Sequence, residues 1–258
     1  MSDPQIVRQQ YSTSANLQAR IELHERFSTN SQPWPRWVFD QFDLPARARI
    51  LELGGGTGAL WRENLDRLPI GWSITLSDMS VAMLEQSRAA LLASGKFSFE
   101  RVDAQAIPFA DATFDAVVAN HMLYHVADRP RALAEIRRVL APGGRLYAAT
   151  NGGDHMRDLK ELVQGFALGA DVGTFFSAEF QLENGRAQLA PFFERVEERR
   201  YECDLLVTEL EPLSAYVEST QRIAAGRIPE LRRFLAAALE RSGRALRIGK
   251  SVGMFVCQ

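Results

Sequence analysis

The sequence predicts an α/β protein: a doubly wound, mostly parallel sheet of about seven strands with a helical lid. Three observations predict it. Short apolar runs alternate with amphipathic helical stretches between about residues 45 and 150. Those runs are apolar on both faces, as parallel strands covered from both sides must be. The first of them feeds a glycine cluster, Gly54-Gly55-Gly56-Thr57-Gly58, immediately ahead of the next helix. Right-handed crossovers then leave few ways to wind the units.

Taken in order, the chain to about Phe42 reads as helices. Leu17, Ile21 and His24 share one face, and Trp34, Trp37, Val38 and Phe42 recur at helical spacing after Pro33. Residues 49–53 form the first strand, followed by a helix expected to run to Leu68. Residues 72–76 are the second strand, closed by Ser77-Asp78. Ser80 caps a helix that carries Val81, Leu84 and Leu91 inward and ends at Gly95. Residues 97–102 and 114–119 are the third and fourth strands. Asp128 starts a helix with Leu133, Ile136, Val139 and Leu140 inward, and Pro142-Gly143-Gly144 turns the chain into a fifth strand at 145–150.

After Thr150 the period changes. Met156, Leu159, Leu162, Val163 and Phe166 make a helix behind Asp154, and a second lies around 178–193. Residues 195–207 alternate enough for an edge strand. Leu210, Leu213, Tyr216 and Val217 predict one helix. Leu231, Phe234, Leu235, Ala238 and Leu239 predict another, between Pro229 and Gly243. Residues 251–257 are a final strand. The expected organisation is an N-terminal helical lid (1–44), a ligand-binding core (45–150), and remaining strands with inserted helices forming a substrate cap (151–258).

Composition narrows the function. The chain has 258 residues, 46% of them apolar, with 30 Lys and Arg against 32 Asp and Glu, a net charge of −2. This balance fits a globular fold and offers no general electrostatic attraction to nucleic acid or an anionic membrane. Cys203 and Cys257 stand far apart, outside any metal-ligand spacing, so no metal is expected. The first twenty residues lack an apolar core for a signal peptide, and a cytoplasmic monomer or homodimer is expected.

The strongest motif is the glycine loop after the first strand. Glycine lets backbone approach a ligand without a Cβ in the way, and open parallel sheets bind ligands outside the carboxyl ends of their strands. Alone, the loop is ambiguous. Gly54, Gly56 and Ala59 also fit the dinucleotide pattern, for which Asp78 would supply the acidic residue about 20 positions on.

The surrounding residues separate the readings. Residues 45–150 resemble the class I S-adenosylmethionine-dependent methyltransferases, a Rossmann-like family, in its small-molecule type 11 or UbiE-like group. The resemblance rests on Glu52-x-Gly54-x-Gly56-x-Gly58, on Leu76-Ser77-Asp78-Met79-Ser80, and on Val102-Asp103-Ala104 followed by Ile107-Pro108-Phe109. It continues through Asn120-His121-Met122-Leu123-Tyr124-His125 and Arg138-Val139-Leu140-x-Pro142-Gly143-Gly144. It implies that the glycine loop, with Glu52, Gly54 and Gly56, wraps the methionine and ribose part of S-adenosylmethionine. It implies that Asp78 accepts from the ribose hydroxyls and that Met79 stacks on adenine. Asp103 would read the adenine amino group, Ala104 a ring nitrogen through its N–H, and Asn120 or His121 would make a backbone contact. Tyr11 would close over the cofactor from the lid. The physical chemistry agrees: the cofactor has a diol and an amino group for carboxylates to accept from, and no pyrophosphate.

The sequence offers two catalytic candidates. His121 and His125 follow the fourth strand and titrate near neutral pH, which suits proton removal from an acceptor. Their i, i+4 spacing lacks a third metal ligand. Arg20 and His24 share a segment and are candidates to meet a carboxylate. Trp34, Trp37, Phe175, Phe176 and Tyr216 are candidates to line an acceptor pocket. The expected activity is methyl transfer to an O, N or C atom of a small organic acceptor. A nicotinamide-dependent oxidoreductase and a non-catalytic cofactor-binding regulator are the alternatives.

Overall fold

The computed structural model describes residues 14–167 and 179–258. Tyr11, Phe175 and Phe176 lie outside the described residues. The chain divides into two compact units. A sheet unit takes Gln32–Gly152, Glu179–Tyr201 and Val252–Gln258; a helical unit takes the described parts of Met1–Ser31 and Gly153–Ala178, and Glu202–Ser251.

The sheet unit holds β1 (Arg47–Glu52), β2 (Gly71–Ser77), β3 (Phe97–Glu100), β4 (Phe114–Asn120), β5 (Leu140–Asn151), β6 (Val196–Arg200) and β9 (Val252–Cys257). Their order is β3-β2-β1-β4-β5-β9-β6. β1 to β5 run parallel, and β9 lies antiparallel between β5 and β6. The expected seven-stranded, mostly parallel sheet is what forms.

Period-two alternation divides its core into two layers. Leu51, Val117, Leu146 and Phe255 face one way, against α5 (Arg129–Val139) and α7 (Leu182–Leu189). Ile50, Ile74, Val118, Tyr147 and Met254 face the other way. There they meet α2 (Trp34–Asp40), α3 (Ala59–Arg62) and α4 (Val81–Leu91). Trp34–Asp40, read from sequence as part of the N-terminal segment, groups with the sheet. The predicted caps form: Ser80 Oγ accepts from the Met83 N–H, and Asp128 Oδ1 from the Arg131 N–H at 3.1 Å.

Several elements differ from expectation. β3 ends at Glu100 rather than at 102, and β5 starts at Leu140, taking in Pro142-Gly143-Gly144, which the sequence reads as a turn. The helix after Gly58 stops at Arg62, and a 3₁₀ turn, Leu65–Arg67, follows. The buried Asn64 donates its side-chain amide to Leu60 O at 2.7 Å and Pro35 O at 3.0 Å, so a side chain takes up the carbonyl four residues back. The stretch 195–207 is two strands. β6 runs out of partner where the Tyr201 N–H reaches Val252 O, and the chain continues as β7 (Asp204–Val207). β7 pairs with β8 (Leu246–Gly249), a strand too short to read from sequence. The helix expected over 178–193 is the shorter α7, started by reciprocal bonds between Gln181 and Asn184.

The helical unit packs α1 (Ser14–Phe27), α6 (Arg157–Ala167), α8 (Leu210–Ser219) and α9 (Ile228–Arg241) with the β7–β8 pair. Leu23, Met156, Val163, Leu205, Leu213 and Leu235 are among its buried core. Among the described residues no helix is long and apolar enough to cross a membrane.

Candidate functional site

Strand order reverses at β1, which has β2 on one side and β4 on the other. That arrangement opens a crevice beyond the strands' carboxyl ends. Glu52 ends β1, Asp78 follows β2 and Asn120 ends β4, so three predicted site residues arrive there by topology alone.

The glycine loop is held by its neighbours' backbone. The Gly55 N–H donates to Ser77 O at 2.8 Å, and the Gly56 N–H donates to Asp78 Oδ2 at 2.9 Å. Asp78 Oδ1 accepts from the Ser80 N–H at 2.8 Å. Each of these oxygens has a second lone pair to offer. Gly56 sits at φ +55°, and a Cβ there would have nothing within 4 Å: the loop faces open space. A Cβ on Gly54 would instead meet Met122 Cβ at 2.8 Å, which puts the loop directly against the segment after β4.

Glu52 is buried, 2% exposed. Burial pushes its carboxyl up to about 7, and the nearby Asp78 charge adds to this. Bonds from the Trp61 indole and the Asn120 amide pull the other way. Asn120 Oδ1 is buried and, among the described residues, has no hydrogen-bond partner. A carboxylate and an unspent amide oxygen therefore lie side by side, both acceptors. Met79 is 51% exposed, a large apolar side chain left in solvent beside Asp78. Asp103 is exposed three residues past β3, where Oδ1 accepts from the Gln105 N–H at 2.9 Å and Gln105 Nε2 at 3.1 Å. Ala104 beside it is buried. Gln105 Oε1 in turn accepts from the Asp128 N–H at 3.0 Å, fixing this loop to the start of α5.

After β4 the chain makes a sharp turn. His121 adopts φ +52°, a left-handed conformation that a non-glycine residue rarely takes, while its N–H donates to Ala149 O at 3.0 Å. Its ring starts a line of aromatic surface. Trp34 lies 5.3 Å away and stacks on Trp37 at 5.1 Å. On the other side are Tyr124 at 6.4 Å and, 4.5 Å beyond, His125. The buried Tyr201 braces Trp34 edge-on at 5.3 Å, and its hydroxyl donates to Gln32 O. All five rings of the line are partly exposed. Burial lowers the His125 imidazole to about 4, so it is neutral at neutral pH.

Sequence reasoning missed three participants: Trp61, Gln105 and Tyr201. Trp61 follows Gly58 by three residues, one helical turn, which was the available signal. Gln105 and Tyr201 act through contacts that no local spacing reveals. Among the described residues no group of three or more His, Cys, Asp or Glu could hold a metal.

These features suit a nucleoside bearing a cationic amino-acid chain. The space at Gly56 is open, the Asp78 carboxylate lies beside it, and Glu52 with Asn120 Oδ1 presents further acceptors that could hold such a ligand. Comparison with known proteins agrees. Residues 51–148 match the family model Methyltransf_11, described as a methyltransferase domain. Residues 51–148 are thus similar to a methyltransferase domain. The chain is 36% identical over 116 residues to the Ubiquinone/menaquinone biosynthesis C-methyltransferase UbiE of Hahella chejuensis. That match covers 44% of this chain and 47% of the relative. The enzyme of the same name from Pseudomonas aeruginosa PAO1 is 37% identical over 118 residues, covering 44% and 45%. The match thus spans about half the length of these relatives. Among solved structures, Haemonchus contortus phosphoethanolamine N-methyltransferase 2, bound to phosphomonomethylethanolamine and S-adenosylhomocysteine, superposes with a TM-score of 0.62 at 16% identity. It covers 98% of this chain and 58% of that one. The YcgJ protein of Bacillus subtilis gives 0.59 at 17% identity, covering 86% and 96%. These two likenesses show the fold.

Proposed function

We propose that the protein is an S-adenosylmethionine-dependent methyltransferase. It would move a methyl group to an O, N or C atom of a small organic acceptor and release S-adenosylhomocysteine. The single observation that carries the reading is the open space at Gly56 bounded by the Asp78 carboxylate.

Bound S-adenosylmethionine supplies an electrophilic methyl group on a sulfonium. The chain's residues supply position. Asp78 accepts from the ribose hydroxyls, Met79 covers one adenine face, and Asp103 with the Ala104 N–H reads the adenine edge. Gly54 and Gly56 let the backbone come close. Glu52 and Asn120 hold the cationic end, and His121 adds a contact beside them. Tyr11 is assigned to closing over the cofactor. His121, fixed by its turn and its contact with Trp34, is the better placed of the two histidines to take a proton from an acceptor. His125, held neutral by burial, is assigned to positioning. Alignment alone can supply about 7–11 kcal/mol of the barrier when the acceptor is already nucleophilic.

The acceptor is a small molecule, in keeping with a net charge of −2. We take the enzyme to work in the cytoplasm as a monomer or homodimer, with segments outside the family match selecting the acceptor. The relatives named as quinone-biosynthesis C-methyltransferases support carbon as one acceptor atom.

Thermal shift with S-adenosylmethionine, S-adenosylhomocysteine and NAD, on wild type and Asp78→Ala, tests the reading. A ligand at a hundred times its Kd adds about 2.7 kcal/mol, several degrees in Tm. A shift with the adenosyl ligands alone, lost in the variant, is expected. A shift with NAD alone overturns it. Binding without turnover on any acceptor would favour a regulator.

A further inference from the structure

The helical unit contains a second concentration of polar groups that the methyl-transfer reading does not use. Arg20 and His24 are one turn apart on α1 and share a face. Tyr216 and Ser219 share a face of α8. The two faces meet: Arg20 Nε donates to Ser219 Oγ at 3.2 Å and Nη2 donates to Ser219 O at 3.1 Å. The His24 ring stands edge-on to Tyr216 at 5.8 Å. His155, from the loop before α6, brings its ring to 6.1 Å from His24. Around them the unit is apolar, with Leu23, Met156, Leu159, Leu213 and Val217 at most 1% exposed.

Two of these groups have unspent hydrogen-bonding capacity. Tyr216 is 4% exposed, and among the described residues its hydroxyl has no hydrogen-bond partner. Arg20 is half-buried, yet among the described residues it pairs with no carboxylate; its two bonds go to neutral oxygens of Ser219. A guanidinium drawn into a protein interior is normally matched by an anion. Beside His155, Met156 is held at φ +58°, a strained conformation for a non-glycine residue, with its N–H on Gly249 O at 3.0 Å.

We propose that Arg20 and Tyr216, flanked by His24 and His155, form a binding site for the carboxylate of a small organic acid. The guanidinium balances the single charge and the phenol donates to a carboxylate oxygen. Burial pushes the Tyr216 hydroxyl up to about 12, so it remains a donor across the working range. A carboxylate fits better than a phosphate, because one guanidinium offsets one charge. The apolar side chains around the cluster suit an acid with a hydrocarbon body. The inference stands apart from the methyl-transfer reading, since it needs neither cofactor nor turnover.

The test is ligand-observed NMR and calorimetry on the full chain. The probes are benzoate, phenylacetate and hexanoate, each paired with its primary amide, together with inorganic phosphate. At least one acid should bind, with its amide about tenfold weaker or worse, and Tyr216→Phe and Arg20→Gln should each weaken the acid about tenfold. Tyr216→Phe removes only an oxygen, so its Tm and its S-adenosylhomocysteine affinity should stay at wild-type values. The inference is overturned if none of the three acids binds, if amides bind as well as acids, if phosphate binds in their place, or if both variants bind acid as wild type does. Failure of wild type to bind S-adenosylhomocysteine counts against the methyl-transfer reading alone.

Discussion

The Trp61 indole Nε1 donates to Glu52 Oε2 across 2.6 Å, with Trp61 fully buried and Glu52 2% exposed. A residue on the helix after the glycine loop thus partners the carboxylate before it. The loop is clamped at both ends by one buried bond, and the carboxylate is kept out of water beside the cradle.

That burial has a stability consequence. Glu52 rises from 4.5 to about 7, chiefly by desolvation. The folded state therefore holds its proton more tightly than the unfolded chain does. The stabilisation from this proton is complete below pH 4.5 and lost as pH rises through 7. Full ionisation costs on the order of 3 kcal/mol at about 1.4 kcal/mol per unit. Glu52→Gln should be more stable than wild type at pH 8 by up to about that amount, and alike at pH 4. It should also bind S-adenosylmethionine more weakly. Urea titrations across pH check this; parallel stability curves for the two proteins would contradict it.

His125 works in the opposite sense. Burial lowers it from 6.5 to about 4, so its contribution is present above pH 6.5 and fades as pH falls toward 4. His125→Gln should flatten the acid limb of the stability curve and leave the alkaline limb alone. In the wild-type protein the His125 ring signals should not titrate above about pH 5. An NMR midpoint near 6.5 would refute the assignment.

Two adjacent glycines should fail differently. A Cβ at Gly55 would sit 2.7 Å from Glu52 Oε2 and 2.9 Å from Leu76 Cγ. Gly55→Ala should therefore lose about 1–3 kcal/mol by overpacking. Gly56→Ala meets nothing within 4 Å but holds φ +55°. It should lose only about 1–2 kcal/mol from the left-handed backbone, while S-adenosylhomocysteine affinity falls by more than about tenfold. Paired melting and calorimetry measure both. Unchanged affinity in Gly56→Ala would mean that the open space is not the ligand's.

The sheet was legible because its signals are local: Ile50 and Leu51 buried on opposite faces, Ser80 and Asp128 as caps, a glycine loop at a strand end. The site was legible where topology delivers a residue, as with Glu52, Asp78 and Asn120. It was not legible where a distant side chain completes it. Trp61 partners Glu52 and Gln105 links Asp103 to Asp128, and both look like ordinary helix or loop residues in sequence. Asn64 ended a helix through its side chain, which helical periodicity cannot anticipate. The split of 195–207 depended on where β9 begins, some fifty residues later.

The position of β9 also bears on how the sheet is made. β9 supplies the ladder on one side of β5 and the register of β6, yet about a hundred residues of chain separate it from β5. During synthesis the first five strands can assemble as they emerge, while β6 waits for a partner that arrives much later. Until then β5 presents a bare edge of unpaired N–H and carbonyl groups, a template for joining other chains. A ribosome pause or a proteolytic cut ahead of Val252 would prolong that state. The vulnerable interval for this protein therefore runs from the emergence of β5 to that of β9, and losses in yield should trace to aggregation of chains that have not reached Val252 rather than to weakness in the completed sheet.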